Sequence, residues 1–160
     1  MTNTWVAIGA STLSGTASSL TFGSIPGGYR DLILAVQGGA TSNFQFRVRF
    51  NGDTGSNYPY VQMYGEPNGY GSDANTLDHI RAVFGNTANT GVATLQIMDY
   101  SNISKHKTVL AREQGMSESY IVARASRWAS NSAINTIEII PHSGSLQTGS
   151  TFTLYGSNRL

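Results

Sequence analysis

The stretch Phe44-Gln45-Phe46-Arg47-Val48-Arg49-Phe50 decides the fold class. Apolar and polar residues alternate over seven positions. Successive side chains of a β-strand point to opposite faces. This stretch therefore reads as a strand with a dry face (Phe44, Phe46, Val48, Phe50) and a wet face (Gln45, Arg47, Arg49). The same period returns at Leu95 and Ile97, at Ile137 and Ile139, and at Phe152 and Leu154. Further strand-like runs occupy 5–10, 18–23, 30–37, 58–64, 79–84, 106–113 and 119–126.

Turn chemistry separates these runs at short, fairly regular intervals. Pro26-Gly27-Gly28, Gly38-Gly39, Asn51-Gly52-Asp53, 65–71 and Gly144 are the clearest cases. About ten strands spaced in this way indicate an all-β antiparallel sandwich or barrel. One short helix is the most the pattern allows, over 72–82 (Ser-Asp-Ala-Asn-Thr-Leu-Asp-His-Ile-Arg-Ala), with Ser72 or Asp73 as its cap. The segment 65–71 reads as a long surface loop. No linker, charge block or repeat divides residues 1–160, which reads as one domain.

The chain has 160 residues and no cysteine. A domain of that length buries roughly 70% of its unfolded surface, so a core is possible without disulfides. Charged residues make up 12%, about half the usual share, and the net charge is +1. A nucleic-acid partner would call for a clustered basic face, so none is expected. No apolar run approaches the roughly 18 residues of a membrane span. The opening Met1-Thr2-Asn3-Thr4-Trp5 lacks the basic and apolar regions of a secretory signal, and none is expected. The basic residues are Arg30, Arg47, Arg49, Arg81, Arg112, Arg124, Arg127 and Arg159 against Lys105 and Lys107. That is the bias of protein interfaces.

No assembled chemistry stands out. His79, His106 and His142 show no metal-ligand spacing. No nucleophile elbow surrounds any serine, and no carboxylate pair stands out as a glycosidase dyad. Asn51-Gly-Asp-Thr-Gly-Ser-Asn57 superficially resembles a calcium loop, but its glycine is misplaced and Gln62 stands where a bidentate Glu belongs. A tight reversal with positive-φ residues fits it better. Catalytic, cofactor and metal sites are all expected to be absent. In Tyr58-Pro-Tyr-Val-Gln-Met-Tyr64, Tyr58, Tyr60 and Tyr64 share one strand face, while Pro59, Val61 and Met63 share the other; Tyr70 follows. These four tyrosines read either as a protein interface or as core residues with polar tips, and less well as a saccharide platform. Pro59 points to an edge strand or a strand end.

Four phrases carry a family resemblance. They are Leu13-Ser-Gly-Thr-Ala-Ser-Ser-Leu-Thr-Phe-Gly-Ser-Ile-Pro26, Tyr29-Arg-Asp-Leu-Ile-Leu34, Arg47 through Tyr58, and Gly149-Ser-Thr-Phe-Thr-Leu-Tyr-Gly156. In combination they resemble a group of small virion structural proteins of tailed phages, over about residues 5–157. Similar β-sandwich proteins serve as capsid cement or decoration proteins, often as trimers. The resemblance implies a jelly-roll-like sandwich, made in the host cytoplasm and placed on the capsid surface. It implies the major capsid protein and further copies of the chain, as a homotrimer, for partners, and no catalytic residues. The alternative is a tail-associated receptor-binding or fibre-tip module recognising host saccharide.

Overall fold

A computed structural model describes residues 4–42, 44–85, 90–115 and 120–158. The side chain of Phe44, residue 119 of the run 119–126, and Arg159 lie outside the described residues. The described residues form twelve strands: β1 (Trp5–Thr12), β2 (Leu20–Phe22), β3 (Leu32–Gly38), β4 (Phe44–Phe50), β5 (Tyr58–Glu66), β6 (Gly69–Leu77), β7 (Ile80–Gly85), β8 (Gly91–Met98), β9 (Lys107–Gly115), β10 (Tyr120–Trp128), β11 (Ile137–Pro141) and β12 (Thr151–Ser157). All pairings between them are antiparallel.

The strands form an eight-stranded sheet, β1-β12-β3-β8-β9-β10-β5-β6, and a four-stranded sheet, β2-β11-β4-β7. The pairs β1·β12, β2·β11, β3·β8 and β4·β7 are successive rungs of one antiparallel ribbon. Successive rungs fall in alternate sheets. Rolling the ribbon sets β3 against β12 and β4 against β11. This is a jelly-roll sandwich. Two hairpins are inserted into it, β5–β6 between β4 and β7 and β9–β10 between β8 and β11. They pair through β5 and β10 and lengthen the large sheet by four strands.

The expected period holds where both sheets face each other. Leu34, Phe46, Val48, Phe50, Leu95, Ile97, Ile137, Ile139, Phe152 and Leu154 have no exposed surface. The Phe46 and Phe152 rings lie 6.0 Å apart, and Trp128 meets Phe50 edge-on at 5.6 Å. After β4 the chain reverses through Asn51 and Gly52, both at positive φ (51° and 69°), as the Asn-Gly pair led one to expect.

The segment 72–82, the one place where the pattern allowed a short helix, is strand through Leu77 and again from Ile80, within the bound of at most one helix. The expected long loop over 65–71 is not found. Strand β5 runs on to Glu66, turns through Pro67-Asn68, and returns as β6 in unbroken register from Glu66↔Gly69 to Tyr58↔Leu77. Seven of the nine β6 residues are exposed, so burial imposes no apolar alternation there. The strand is held by its backbone pairing to β5. Pro59 lies at a strand end, one residue into β5, a strand flanked on both sides.

Candidate functional site

Three of the strands added by the two hairpins, β5, β9 and β10, bury charged or polar side chains and leave large apolar ones exposed. Along β9, Lys107, Val109, Ala111, Glu113 and Gly115 are buried, while Thr108, Leu110, Arg112 and Gln114 are exposed. Along β10, Arg124 and Ser126 are buried, while Ile121 and Ala123 are exposed. Along β5, Gln62 is buried, while Val61 and Met63 are exposed. The interior thus holds Gln62, Lys107, Glu113 and Arg124 beside Val109, Ala111 and Val122, while Val61, Met63, Leu110 and Ile121 face solvent beside Thr108, Arg112 and Gln114.

The outward residues form three rows across the sheet. Cross-strand neighbours lie close enough to make each row continuous. One row runs Ala74, Val61, Ala125, Leu110, Gln96, Ile33; the next runs Ser72, Met63, Ala123, Arg112, Thr94, Ala35. The third runs Tyr70, Gly65, Ile121, Gln114, Val92, Gln37. Arg112 is the one charged side chain in these three rows; the exposed Arg127, opposite Thr108, lies on the same face beyond them. Met63 is 66% exposed, Ile121 65% and Val61 53%. The alanines of β10 make a low floor between the taller side chains of β5 and β9. The result is a trough of about 600 Å³, with a second depression of about 360 Å³ beside Val92, Gln114 and Ile121.

Beneath the trough lies a buried ion pair. Arg124 and Glu113 have side chains 0% and 1% exposed and are bonded to each other. Arg124 also donates to Gln62 Oε1 at 3.0 and 2.6 Å and to the Arg81 carbonyl at 2.7 Å. That last bond occupies a backbone acceptor of β7, the outer strand of the small sheet. The guanidinium therefore ties three strands of the large sheet to an edge of the other. Nearby, Lys107 donates to the Lys105 carbonyl at 2.9 Å, and its ammonium lies 6.0 Å from the Trp128 ring centre. Burial, and then Lys105, push the Lys107 pKa down.

The four tyrosines do not form one platform. Tyr58 is fully buried in the core. Its hydroxyl accepts from the Phe50 N–H at 3.2 Å and donates to the Asp53 carbonyl at 3.1 Å. Burial pushes its pKa up to about 12. Tyr60 is also buried, donates to Asp73 at 2.6 Å, and has Arg81 and Arg124 at 5.2 and 5.5 Å from its ring centre. Burial, then the bond to Asp73, raise its pKa. Tyr64 shares that inner face and is half-buried, whereas Tyr70 is 93% exposed at the corner of the outward face. The sequence does place Val61 and Met63 together on the face opposite the tyrosines, and that face is the one left open.

The 51–57 loop is a turn built around Asp53. Its carboxylate accepts from the Gly55 N–H (2.9 Å), Asn57 Nδ2 (3.0 Å) and Trp128 Nε1 (2.7 Å). Burial alone would raise this carboxyl; the bonds from Trp128, Gly55 and Asn57 outweigh it and leave the pKa below its ordinary value. His106 and His142 are exposed and His79 is buried. Among the described residues no three or more His, Cys, Asp or Glu side chains converge as metal ligands. Asp78 Oδ1 bonds His79 Nδ1 at 2.6 Å and Asp78 Oδ2 accepts from Arg49. The imidazole, and then Arg49, hold the Asp78 carboxyl down to about 2 against a burial that opposes them. Burial lowers the His79 pKa against the pull of Asp78. His79 Nε2 has no hydrogen-bond partner, so this carboxylate–imidazole pair activates no hydroxyl.

No family model matches the chain, and no curated protein matches it. Among solved structures, the Caenorhabditis elegans galectin LEC-6 is similar at 8% identity and a TM-score of 0.36, over 94% of this chain and 96% of that one. A mutant of the alginate lyase Aly36B in complex with alginate tetrasaccharide is similar at 14% identity and a TM-score of 0.33, over 98% and 80%. At such identities and scores, neither likeness bears on function.

Proposed function

We propose that this protein is a non-catalytic virion component, a decoration or cement protein that docks on the outer surface of a phage head through the outward face of its eight-stranded sheet. One observation supports the reading above others: the large apolar side chains that β5, β9 and β10 leave exposed over buried charged ones. Exposing Val61, Met63, Leu110 and Ile121 to water while burying Lys107, Glu113 and Arg124 is unfavourable for an isolated molecule. It suits one whose apolar face is covered on assembly. The four phrases resembling tailed-phage virion proteins name the setting, with the major capsid protein and further copies of the chain, as a homotrimer, for partners.

Magnitude favours repetition over a single tight contact. Six strands at ~4.8 Å spacing and six residues at ~3.4 Å rise give a face of about 24 by 20 Å, roughly 500 Å² in projection. That is below the ~800 Å² each partner contributes to a standard interface. Association of several linked copies then supplies the strength that one patch lacks.

The test is binding of purified protein to heads that lack it. Wild type should bind in many copies and make the heads harder to break. Met63→Glu together with Ile121→Glu should abolish binding while leaving the melting temperature nearly unchanged, because both sites are exposed. Undiminished binding by that variant would move the contact elsewhere. Attachment of wild type to host cells, and not to heads, would favour the receptor-binding alternative.

A further inference from the structure

The outer face of the four-stranded sheet carries a second anomaly. Among the described residues five buried side-chain nitrogen or oxygen atoms lack a hydrogen-bond partner, and four of them belong to neighbouring residues: Gln45 Nε2, Arg47 Nε, His79 Nε2 and Arg81 Nε. Gln45, Arg47 and Arg49 occupy the wet side of β4. Arg47 stands directly opposite Arg81 of β7 in the register, and His79 precedes Ile80, the partner of Val48. Like charges facing each other across a strand pair repel.

Among the described residues no carboxylate comes within ion-pair distance of either guanidinium. On its other flank Arg47 faces Ile140 of β11, while Glu138 falls opposite Arg49. Asp78 is committed to Arg49 and His79. Arg81 has the Tyr60 ring beside it at 5.2 Å. Among the described residues neither Arg47 nor Arg81 has an ion-pair partner. The outer Nη2 of Arg47 donates to His142 Nδ1, which fixes the guanidinium in place. A water molecule accepts two hydrogen bonds at most and cancels no charge. A tetrahedral anion accepts several and cancels both positive charges.

We propose that this face holds a small oxyanion, phosphate or sulfate, between Arg47 and Arg81. The anion accepts from the outer N–H groups of the two guanidiniums and removes the repulsion between β4 and β7, so it locks the edge of the small sheet. The site lies on the sheet opposite the apolar trough and is independent of what that trough binds.

Calorimetric titration of the full-length protein with inorganic phosphate, at ionic strength held constant with sodium chloride, tests this. Saturable binding is expected, together with a phosphate-dependent rise in melting temperature. Arg47→Gln and Arg81→Gln should each weaken binding about tenfold or more, as loss of a charge-assisted hydrogen bond does. Arg112→Gln, on the other sheet, should bind as wild type does. Absence of heat with wild type overturns the proposal and needs no variant. An equal thermal response in Arg81→Gln also overturns it, since it would show general exclusion of the salt from the surface. So would a crystal grown in phosphate that showed only water between the two guanidiniums.

Discussion

Replacing Glu113 by Gln should be among the most damaging single changes of near-constant shape in this protein. The side chain it faces, Arg124, is fully buried and stays charged at any accessible pH. In the variant, Gln62 and the Arg81 carbonyl still accept from Arg124, but the Glu113 counter-charge is gone. Breaking a buried pair on one side costs ~3–5 kcal/mol. For a chain of this size each kcal/mol moves the melting temperature by about 2–4 °C, so a fall of about 6–20 °C is expected. The double variant Glu113→Leu with Arg124→Met removes both charges and leaves two neutral acceptors short of a donor, at about 1–3 kcal/mol each. Its cost should be well below the sum of the singles. Urea unfolding of the four proteins in a double-mutant cycle reads this directly. A Glu113→Gln cost under about 1 kcal/mol, or strict additivity, would refute the view that this pair ties the two sheets together.

Other expectations follow from the same geometry. Phe46→Ala, at a fully buried core position, should cost ~3–5 kcal/mol by urea unfolding; a near-neutral result would mean that its face is not the core. Gly52→Val forces a β-branched residue to φ near 69° and should destabilise by more than ~1–2 kcal/mol without conferring or removing any calcium dependence of melting. Acid should destabilise the protein in two windows. His79 has a folded pKa below its ordinary 6.5, so the unfolded chain takes up its proton first and stability falls as pH drops below 6.5. Asp78 is depressed to about 2 from 3.8, so its contribution is present above 3.8 and is lost as pH falls from there through about 2. Urea midpoints measured against pH should lose the upper window in His79→Gln and the lower one in Asp78→Asn.

The all-β antiparallel class was legible because most core strands are buried on one face and wet on the other. Phe46, Val48 and Phe50, like Phe152 and Leu154, announce both strand and face. Strand β6 was not legible, because neither of its faces is covered and its Gly-Ser-Asp-Asn-Thr composition leaves no period to read. The candidate face was hidden for a different reason. Alternation tells which residues share a side, and Tyr58, Tyr60 and Tyr64 do share one. It does not tell which side is inward. On β9 and β10 the inward side carries Lys107, Glu113 and Arg124, held by a buried pair and by an aromatic ring that only the folded chain brings together. The Arg47–Arg81 opposition likewise depends on the register of β4 against β7, which lies outside any local pattern.

The most direct test of the account is a side-chain-detail map of the intact particle that carries this protein. The prediction is many copies on the head, each with Met63 and Ile121 withdrawn from solvent against the shell or against a neighbouring copy. A map in which that face of the large sheet is open to water, or in which a few copies stand at the tail tip, contradicts it.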